Sequence, residues 1–239
     1  MTLLLNGGGS TKELELTMNK LNEIMDHSKP ILYVPLAMDE NEHPYDGCYE
    51  WFQNQITNID NCKVDMVRTF FELSNINYDK YSAIFIGGGN TYKLLKGIKD
   101  SGAFEKLKRY ISEDGIIIGC SAGAVLFSKD INVIDKMDKN EVKLEDTVGF
   151  DCLNGASVFP HYTNKKSSLT EKENEIRTAE FTNAIVSFSI ENGEVIAIPE
   201  EDTIYVHDGI YEIIGTRPYY KFNNGQIEKI NLDTIVKSK

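Results

Sequence analysis

Apolar residues recur along the chain in two patterns that alternate with one another. The first is a short continuous run, which is typical of a strand buried on both faces of a sheet. Such runs predict strands at 3–6, 30–36, 62–70, 82–86, 116–118, 156–161 and 194–198. The second pattern places apolar residues three or four positions apart and predicts helices. It includes the sets Leu14, Met18, Leu21, Met25 and Leu94, Leu95, Ile98, with segments 49–56, 104–111, 124–127 and 169–186.

Towards the C-terminus, apolar and polar residues alternate. Asp208-Gly209 and Asn224-Gly225 interrupt this alternation, and both dipeptides favour the tight turn of a β-hairpin. Strands that alternate with helices build a parallel sheet, with ligand sites at the carboxyl ends of its strands. We therefore predict an α/β fold: a doubly wound, mostly parallel sheet flanked by helices, with C-terminal β-hairpins. No linker or repeat interrupts the sequence, so residues 1–239 are expected to form a single domain.

Charge and composition disfavour several kinds of partner. The formal net charge is −12, from 25 Lys and Arg against 37 Asp and Glu, which argues against nucleic acid or an anionic membrane surface. No apolar stretch is long enough to span a bilayer, and the first residues have no basic region or cleavage site. The four cysteines are scattered without metal-ligand spacing and are expected to be reduced thiols. These features predict a cytoplasmic protein that uses no metal ion or other cofactor.

Two segments that could suggest a ligand have simpler interpretations. Gly7-Gly8-Gly9 precedes a helix, as a phosphate-binding loop would, but it lacks both the G-x-G-x-x-G spacing and a lysine. We interpret it as a turn. His43 lies in the acidic segment 38–50 without a second histidine at ligand spacing, so a solvated loop is expected there.

The clearest chemical signal is a serine between a strand and a helix. The β-branched run Ile116–Ile118 precedes Gly119-Cys-Ser-Ala-Gly123, and an apolar helical segment follows. Strand, G-x-S-x-G and helix form the pattern of a nucleophile elbow, in which small residues allow a sharp turn that exposes the serine hydroxyl. The amide of Ala122 would then lie at a helix start, where backbone donors favour negative charge. The sequence therefore predicts Ser121 as a nucleophile, and a turn packed with small residues is the alternative.

A nucleophilic serine needs a base, and the base needs a carboxylate that orients it. Of the four histidines, His161 follows an apolar strand and is predicted at the sheet edge where Ser121 lies. Glu200 follows another apolar strand and is the first choice for the acid; Glu201 and Asp135 are the alternatives. A glycine amide from the loop 87–89 is the natural second oxyanion donor beside Ala122. The order serine, histidine, acid differs from that of the α/β-hydrolases.

Four motifs in this order resemble the aspartyl dipeptidase (peptidase E) family, to which cyanophycinase is related. They are Gly87-Gly-Gly-Asn-Thr91, Gly119-Cys-Ser-Ala-Gly-Ala124, Phe159-Pro-His-Tyr-Thr-Asn164 and Ile198-Pro-Glu200. The resemblance covers roughly residues 1–215. It implies a class I glutamine amidotransferase-like fold and a triad of Ser121, His161 and Glu200. It also implies oxyanion amides at Gly89 and Ala122, substrate-binding residues at Asn90 and Lys172, and no metal ion.

One position departs from the family pattern. Where the family has an arginine that clamps a substrate aspartate, an ungapped alignment places Lys172, which lacks the planar fork of arginine and could equally be a solvated helix charge. Strict specificity for an N-terminal aspartate is therefore not implied. Cys120 lies one residue before the centre of the elbow, which argues against a cysteine-dependent glutaminase.

These observations lead to one principal functional hypothesis. We expect a serine exopeptidase that hydrolyses short peptides, including those with an N-terminal aspartate, through an acyl-enzyme. The expected assembly is a monomer or homodimer. The alternatives are a non-catalytic module that binds a small molecule or partner on the same fold, and a cyanophycinase-like isopeptidase.

Overall fold

The structure is a computed structural model that describes residues 1–59 and 62–232. Its α-helices are α1 Thr11–Ile24, α2 Tyr45–Gln55, α3 Phe70–Asn75, α4 Thr91–Asp100, α5 Ala103–Ser112, α6 Ala122–Val125 and α7 Glu171–Asn192. Its strands are β1 Thr2–Asn6, β2 Ile31–Val34, β3 Val64–Met66, β4 Ala83–Ile86, β5 Ile116–Cys120, β6 Ser157–Phe159, β7 Val195–Ala197, β8 Thr203–His207, β9 Ile210–Ile214, β10 Tyr219–Asn223 and β11 Gln226–Ile230. Short 3₁₀ helices lie at Tyr78–Lys80 and Ile131–Ile134.

A seven-stranded sheet in the order β3-β2-β4-β5-β1-β8-β9 forms the centre of the fold. Its first five strands are parallel; β8 pairs antiparallel with β1, and β9 pairs antiparallel with β8 at the edge. The strands present apolar side chains to both faces, as the continuous apolar runs predict: Leu3 and Leu5 belong to one buried cluster, and Leu4 belongs to the other. The predicted α/β fold with a mostly parallel sheet is therefore confirmed.

Helices cover both faces of this sheet. On one face, α1 and α2 contribute Leu14, Met18 and Phe52 to a buried cluster with β2, β4 and β5. On the other face, apolar residues of α4, α5 and α6 pack against the same strands. This two-sided packing leaves the carboxyl ends of the parallel strands as the edge at which loops can converge.

A second, four-stranded sheet in the order β11-β10-β7-β6 lies on the α4–α6 side, with Val158, Val195 and Phe222 in the same buried cluster. This sheet corrects one expectation. We predicted His161 at the edge of the main sheet, but β6 and β7, which precede His161 and Glu200, are paired with each other in the second sheet. An apolar run identifies a strand, but it carries no information about which sheet the strand joins.

Both predicted hairpins are present. Asp208-Gly209 joins β8 to β9, and Asn224-Gly225 joins β10 to β11, with all four residues at positive φ. These are the conformations that a two-residue hairpin turn requires.

Several element boundaries differ from those predicted. The strand expected at 62–70 ends at Met66 because Thr69 caps α3, its side chain accepting a hydrogen bond of 3.0 Å from the Glu72 amide. Helix α2 begins at Tyr45, four residues earlier than expected. Helix α7 continues past residue 186 to Asn192, where Gly193 at positive φ ends it.

Among the helices that the structure describes, none combines the length and apolar character needed to cross a membrane. The single-domain prediction for residues 1–239 stays a prediction, and residues 60–61 and 233–239 lie outside the described part of the chain.

Candidate active site

Ser121 lies directly between β5 and α6, with φ 53° and ψ −114°. The two glycines of the G-x-S-x-G motif make this turn possible. A Cβ atom on Gly119 would lie 2.4 Å from the carbonyl oxygen of Gly123, and one on Gly123 would lie 2.1 Å from that of Ile86. Because backbone atoms occupy both positions, no larger residue fits without moving the strand or the helix. The predicted elbow is therefore the observed local structure.

Two hydrogen bonds connect Ser121, His161 and Glu200. A bond of 2.7 Å joins Ser121 Oγ to His161 Nε2, and another of 2.7 Å joins His161 Nδ1 to Glu200 Oε1. The side chains of His161 and Glu200 are 23% and 28% exposed, so the pair is partly shielded from water and still reachable by a ligand. The structure thus brings together the three residues that the sequence suggested as nucleophile, base and acid.

The end of β1 holds the histidine in place. The Gly7 carbonyl accepts a hydrogen bond of 3.0 Å from the His161 amide, and His161 itself has φ 56°. Gly8 lies against the imidazole, since a Cβ atom there would be 2.1 Å from His161 Cε1. The Asn6 side chain donates to the Glu200 carbonyl at 3.1 Å. Gly7 and Gly8 therefore pack directly against the histidine, a role that the turn interpretation missed.

Glu200 and its two alternatives have different surroundings. The Glu200 amide donates to Asn164 Oδ1 at 2.9 Å, which ties the backbone of the acid to the loop that follows His161. Glu201 instead accepts two hydrogen bonds from Arg217, at 3.1 and 3.2 Å, and one from Asn164 at 3.2 Å. Burial raises the pKa of Glu201, but the hydrogen bond from Asn164 and the charge of Arg217 outweigh it and hold that pKa below its usual range. Asp135 is exposed beside Lys136. Of the three carboxylates, Glu200 is the one bonded to the histidine.

Three backbone amides belong to the residue after Ser121 and to the glycine loop that runs past it. Among the described residues, the amides of Gly88, Gly89 and Ala122 donate to no protein acceptor. A Cβ atom on Gly88 would be 3.2 Å from Ser121 Cβ, so this segment of the loop runs directly alongside the serine. Gly89 has φ 134°, and a Cβ atom there would be 2.4 Å from the Ala37 carbonyl oxygen. Such unpaired amides can stabilise a negatively charged oxygen.

Ser121 and His161 open into a cavity of about 530 Å³. Most of its wall comes from β2, α2 and the segment between them. The described residues that line it are Gly8, Gly9, Tyr33, Met38, Glu42, His43, Pro44, Gly47, Cys48, Trp51, Gly88, Gly89, Cys120, Ser121 and His161. His43, expected in a solvated loop, is exposed and also lines this cavity. Sequence patterns gave no signal for it, because the position of a loop over a cavity depends on tertiary packing.

The two residues suggested for substrate binding lie elsewhere. Asn90 is the N-cap of α4: its side chain accepts from the Lys93 amide at 2.9 Å and donates to the Lys139 carbonyl at 2.9 Å. Lys172 is exposed in the first turn of α7. Neither is among the described residues that line the cavity. A substrate-binding role for each stays a prediction.

Cys120 is buried next to Ser121, and burial raises the pKa of its thiol to about 12. A thiol with so high a pKa is protonated at neutral pH and is a poor nucleophile. Within the described residues, no three His, Cys, Asp or Glu side chains are grouped so that they could hold a metal ion.

The chain is similar in sequence to known peptidases. The chain is 34% identical over 128 residues to an uncharacterized peptidase of Listeria innocua, covering 52% of this chain and 59% of that protein. It is 30% identical over 146 residues to Peptidase E of Escherichia coli, covering 60% of this chain and 59% of the relative. In both matches the chain spans about three fifths of the length of the relative.

Two solved structures have a similar fold. A peptidase E-like protein from Listeria monocytogenes superposes with a TM-score of 0.67 at 21% identity, covering 90% of this chain and 98% of that one. A peptidase from an acI-B1 Actinobacterium superposes with a TM-score of 0.59 at 18% identity, covering 96% of this chain and 93% of the other. At such identities the similarity concerns the fold. The sequence model of Peptidase family S51, however, matches residues 3–214, most of the chain, and the chain therefore belongs to peptidase family S51.

Proposed function

We propose that this protein is a serine-type peptidase, broadly similar to dipeptidase E, that hydrolyses short peptides through an acyl-enzyme. The observation that carries the proposal is the unbroken hydrogen-bond relay from Glu200 through His161 to Ser121, with 2.7 Å at each step. A serine hydroxyl becomes a useful nucleophile when a base accepts its proton and a carboxylate stabilises the resulting imidazolium. Membership of a peptidase family supports the same chemistry.

In the first half of the proposed reaction, Ser121 Oγ attacks the peptide carbonyl carbon while His161 Nε2 takes the hydroxyl proton. Glu200 stabilises the imidazolium through its bond to Nδ1. The carbonyl oxygen gains negative charge and accepts hydrogen bonds from the amide of Ala122 and from a glycine amide of the loop 87–89. When the tetrahedral intermediate collapses, the C–N bond breaks and His161 returns the proton to the leaving amine.

Water completes the reaction. His161 takes a proton from a water molecule, whose oxygen attacks the acyl-serine carbonyl carbon. Collapse of the second intermediate breaks the ester bond, releases the carboxylic acid and returns the proton to Ser121 Oγ. The partial exposure of His161 supports this step, because water must reach Nε2 after the first product leaves.

A fluorophosphonate probe tests the proposal directly, since it reacts preferentially with an activated serine hydroxyl. We expect stoichiometric labelling of the native protein, with peptide mass spectrometry locating the adduct on Ser121. Cys120→Ala should still be labelled, because the thiol takes no part, whereas Ser121→Ala and heat-denatured protein should not. Absence of labelling in the native protein would overturn the proposal and favour the non-catalytic binding module.

A further inference from the structure

The cavity beside Ser121 has a chemical character that the peptidase proposal does not use. Its described lining includes the rings of Tyr33 and Trp51 and the side chains of Met38 and Pro44. No lysine or arginine occurs among the described lining residues, which include one carboxylate, Glu42, and two histidines, His43 and His161. A volume of about 530 Å³ lies within the roughly 300–1,000 Å³ typical of small-molecule sites. The site therefore suits an apolar group and offers a carboxylate ligand no lysine or arginine among its described lining residues.

Cations near the triad are engaged elsewhere. Lys93 donates its ammonium group to the Met38 carbonyl. Arg177 donates to the Asn164 carbonyl at 2.8 Å, and its guanidinium lies over the ring of Phe181. Arg217 donates to Glu201 and to Thr163. A substrate carboxylate in the cavity would have to pull one of these groups from its partners.

The position of the apolar wall indicates which part of a substrate it would contact. Tyr33 adjoins the loop of unpaired amides: a Cβ atom on Gly87 would be 3.5 Å from its ring, and Gly89 packs against the Ala37–Met38 backbone. The carbonyl oxygen of the residue that acylates Ser121 must face those amides. The leaving amine must face His161, which protonates it. Since the wall formed by β2 and α2 adjoins these amides, it lies within reach of the side chain of the acyl residue.

We infer that this cavity is a specificity pocket for an apolar or aromatic N-terminal residue, and that the protein prefers such dipeptides over those beginning with aspartate. The inference rests on the proposed peptidase function. Burial of an aromatic side chain against Tyr33, Trp51 and Met38 should raise kcat/KM by roughly 10- to 100-fold over a dipeptide that begins with alanine. An aspartate side chain would lose hydration, meet no lysine or arginine and share the cavity with the carboxylate of Glu42.

Gly47 provides a means of testing the pocket by filling it. This residue lies in α2 and lines the cavity, and a Cβ atom on it would have no heavy atom within 4 Å. A larger side chain can therefore be introduced without a backbone clash, and helix propensity also improves when glycine is replaced. Glu50→Leu is the matched control, because Glu50 is exposed on the same helix and is not among the described lining residues.

The experiment measures kcat/KM for two dipeptide series, X-Leu and Leu-X, with X as Asp, Ala, Leu or Phe. We expect Phe-Leu to exceed Asp-Leu by at least about tenfold, with a much weaker preference at the second position. Gly47→Leu should reduce kcat/KM for Phe-Leu at least about tenfold and change Ala-Leu by less than about threefold, whereas Glu50→Leu should change neither. Three results would each overturn the inference. They are Asp-Leu as the best substrate, a stronger preference at the second residue than at the first, and equal effects of Gly47→Leu on Phe-Leu and Ala-Leu.

Fluorophosphonate labelling of each variant separates the two proposals. Suppose that Ser121 is labelled but one of the three contrary dipeptide results is obtained, or no dipeptide is cleaved. The specificity inference is then wrong, while the proposal of an activated serine stands. If neither labelling nor cleavage occurs, the peptidase proposal fails and the inference fails with it. If Gly47→Leu is labelled as fully as the unaltered protein, its triad is intact. Its reduced kcat/KM for Phe-Leu then arises in the pocket.

Discussion

Gly8 and His161 are packed so closely that the imidazole occupies the space of a side chain. A Cβ atom on Gly8 would lie 2.1 Å from His161 Cε1 and 2.7 Å from Nδ1, the nitrogen bonded to Glu200. Gly8 also has φ 123°, a conformation that L-residues rarely adopt. This glycine, two residues after the end of β1, therefore sets the position of the histidine between the serine and the acid.

This contact predicts how activity changes when a single methyl group is added at position 8. Gly8→Ala should displace the imidazole and lower kcat by at least about 100-fold, because a shift of about 1 Å in a catalytic group can have that effect. The measurement is steady-state turnover on the best dipeptide, beside thermal unfolding. Gly209→Ala is the control: Gly209 also has positive φ, but a Cβ atom there meets nothing within 4 Å. It should lose stability and keep its activity. Equal activity in Gly8→Ala would contradict the assigned role.

Removal of the serine hydroxyl should affect activity without affecting the fold. Ser121→Ala loses the bond to His161 Nε2 but keeps the backbone bonds that its carbonyl accepts from the amides of Ala124 and Val125. Turnover should fall by several orders of magnitude, with an unfolding temperature close to that of the unaltered protein. Retention of full activity by the pure variant would end the serine-peptidase proposal.

The three candidate acids make separable predictions. Glu200→Gln keeps the shape of the side chain but removes the charge beside His161 Nδ1, and kcat should fall by up to about four orders of magnitude. Glu201→Gln weakens a bond to Arg217 and should lower kcat by less than about tenfold, while Asp135→Asn should be nearly neutral. Turnover of all three variants on one dipeptide decides the matter. A near-normal Glu200→Gln beside a crippled Glu201→Gln would reassign the acid.

The sequence could suggest Ser121, His161 and Glu200 because the end of a strand is a local pattern. An apolar run followed by a polar residue marks a strand end, and such ends carry Ser121, His161 and Glu200. Asp208-Gly209 fixed its hairpin for a similar reason, since the turn needs positive φ at adjacent positions. In each case the signal lies within a few residues along the chain, although the hydrogen bonds that join the three side chains span about 40 positions each.

Other features depend on contacts between distant segments, which a local pattern does not encode. The strands before His161 and Glu200 belong to a second sheet, and nothing in an apolar run states its partner. The role of Gly8 depends on a histidine more than 150 positions away. The cavity wall is assembled from β2, α2 and the Gly88 loop, so His43 and Gly47 could not be identified as lining residues from their neighbours in sequence.

Arg217 is expected to position the triad through the segments that hold Glu200 and His161. Its guanidinium donates to both oxygens of Glu201 and to Thr163 Oγ1 at 3.0 Å, so it links the residue after Glu200 to the segment after His161. Arg217→Met should lower kcat by roughly tenfold with KM changed less than about twofold, since a misplaced base affects the chemical step.

The conservative variant separates charge from geometry. Arg217→Lys keeps one positive charge but lacks the planar fork, so it should recover only part of the lost kcat. A pH profile of kcat should shift in Arg217→Met if the histidine–acid pair is disturbed. Unchanged kcat and pH profile in that variant would limit Arg217 to a role in stability.

The last prediction concerns Asp202, a fully buried carboxylate beneath the site. Its Oδ1 accepts hydrogen bonds from the Thr216 and Arg217 amides at 3.0 and 3.3 Å, while Oδ2 has no partner among the described residues. Burial raises the pKa of Asp202 from 3.8 to about 6.

Between these pKa values the folded state holds a proton that the unfolded chain has released, so the contribution of Asp202 to stability falls as pH rises from about 4 to 6. Asp202→Asn keeps the acceptor and cannot titrate. The difference in unfolding free energy between the unaltered protein and this variant, measured by urea denaturation, should therefore decline across that range and level off above it. A difference independent of pH would show that Asp202 titrates as an ordinary carboxyl group.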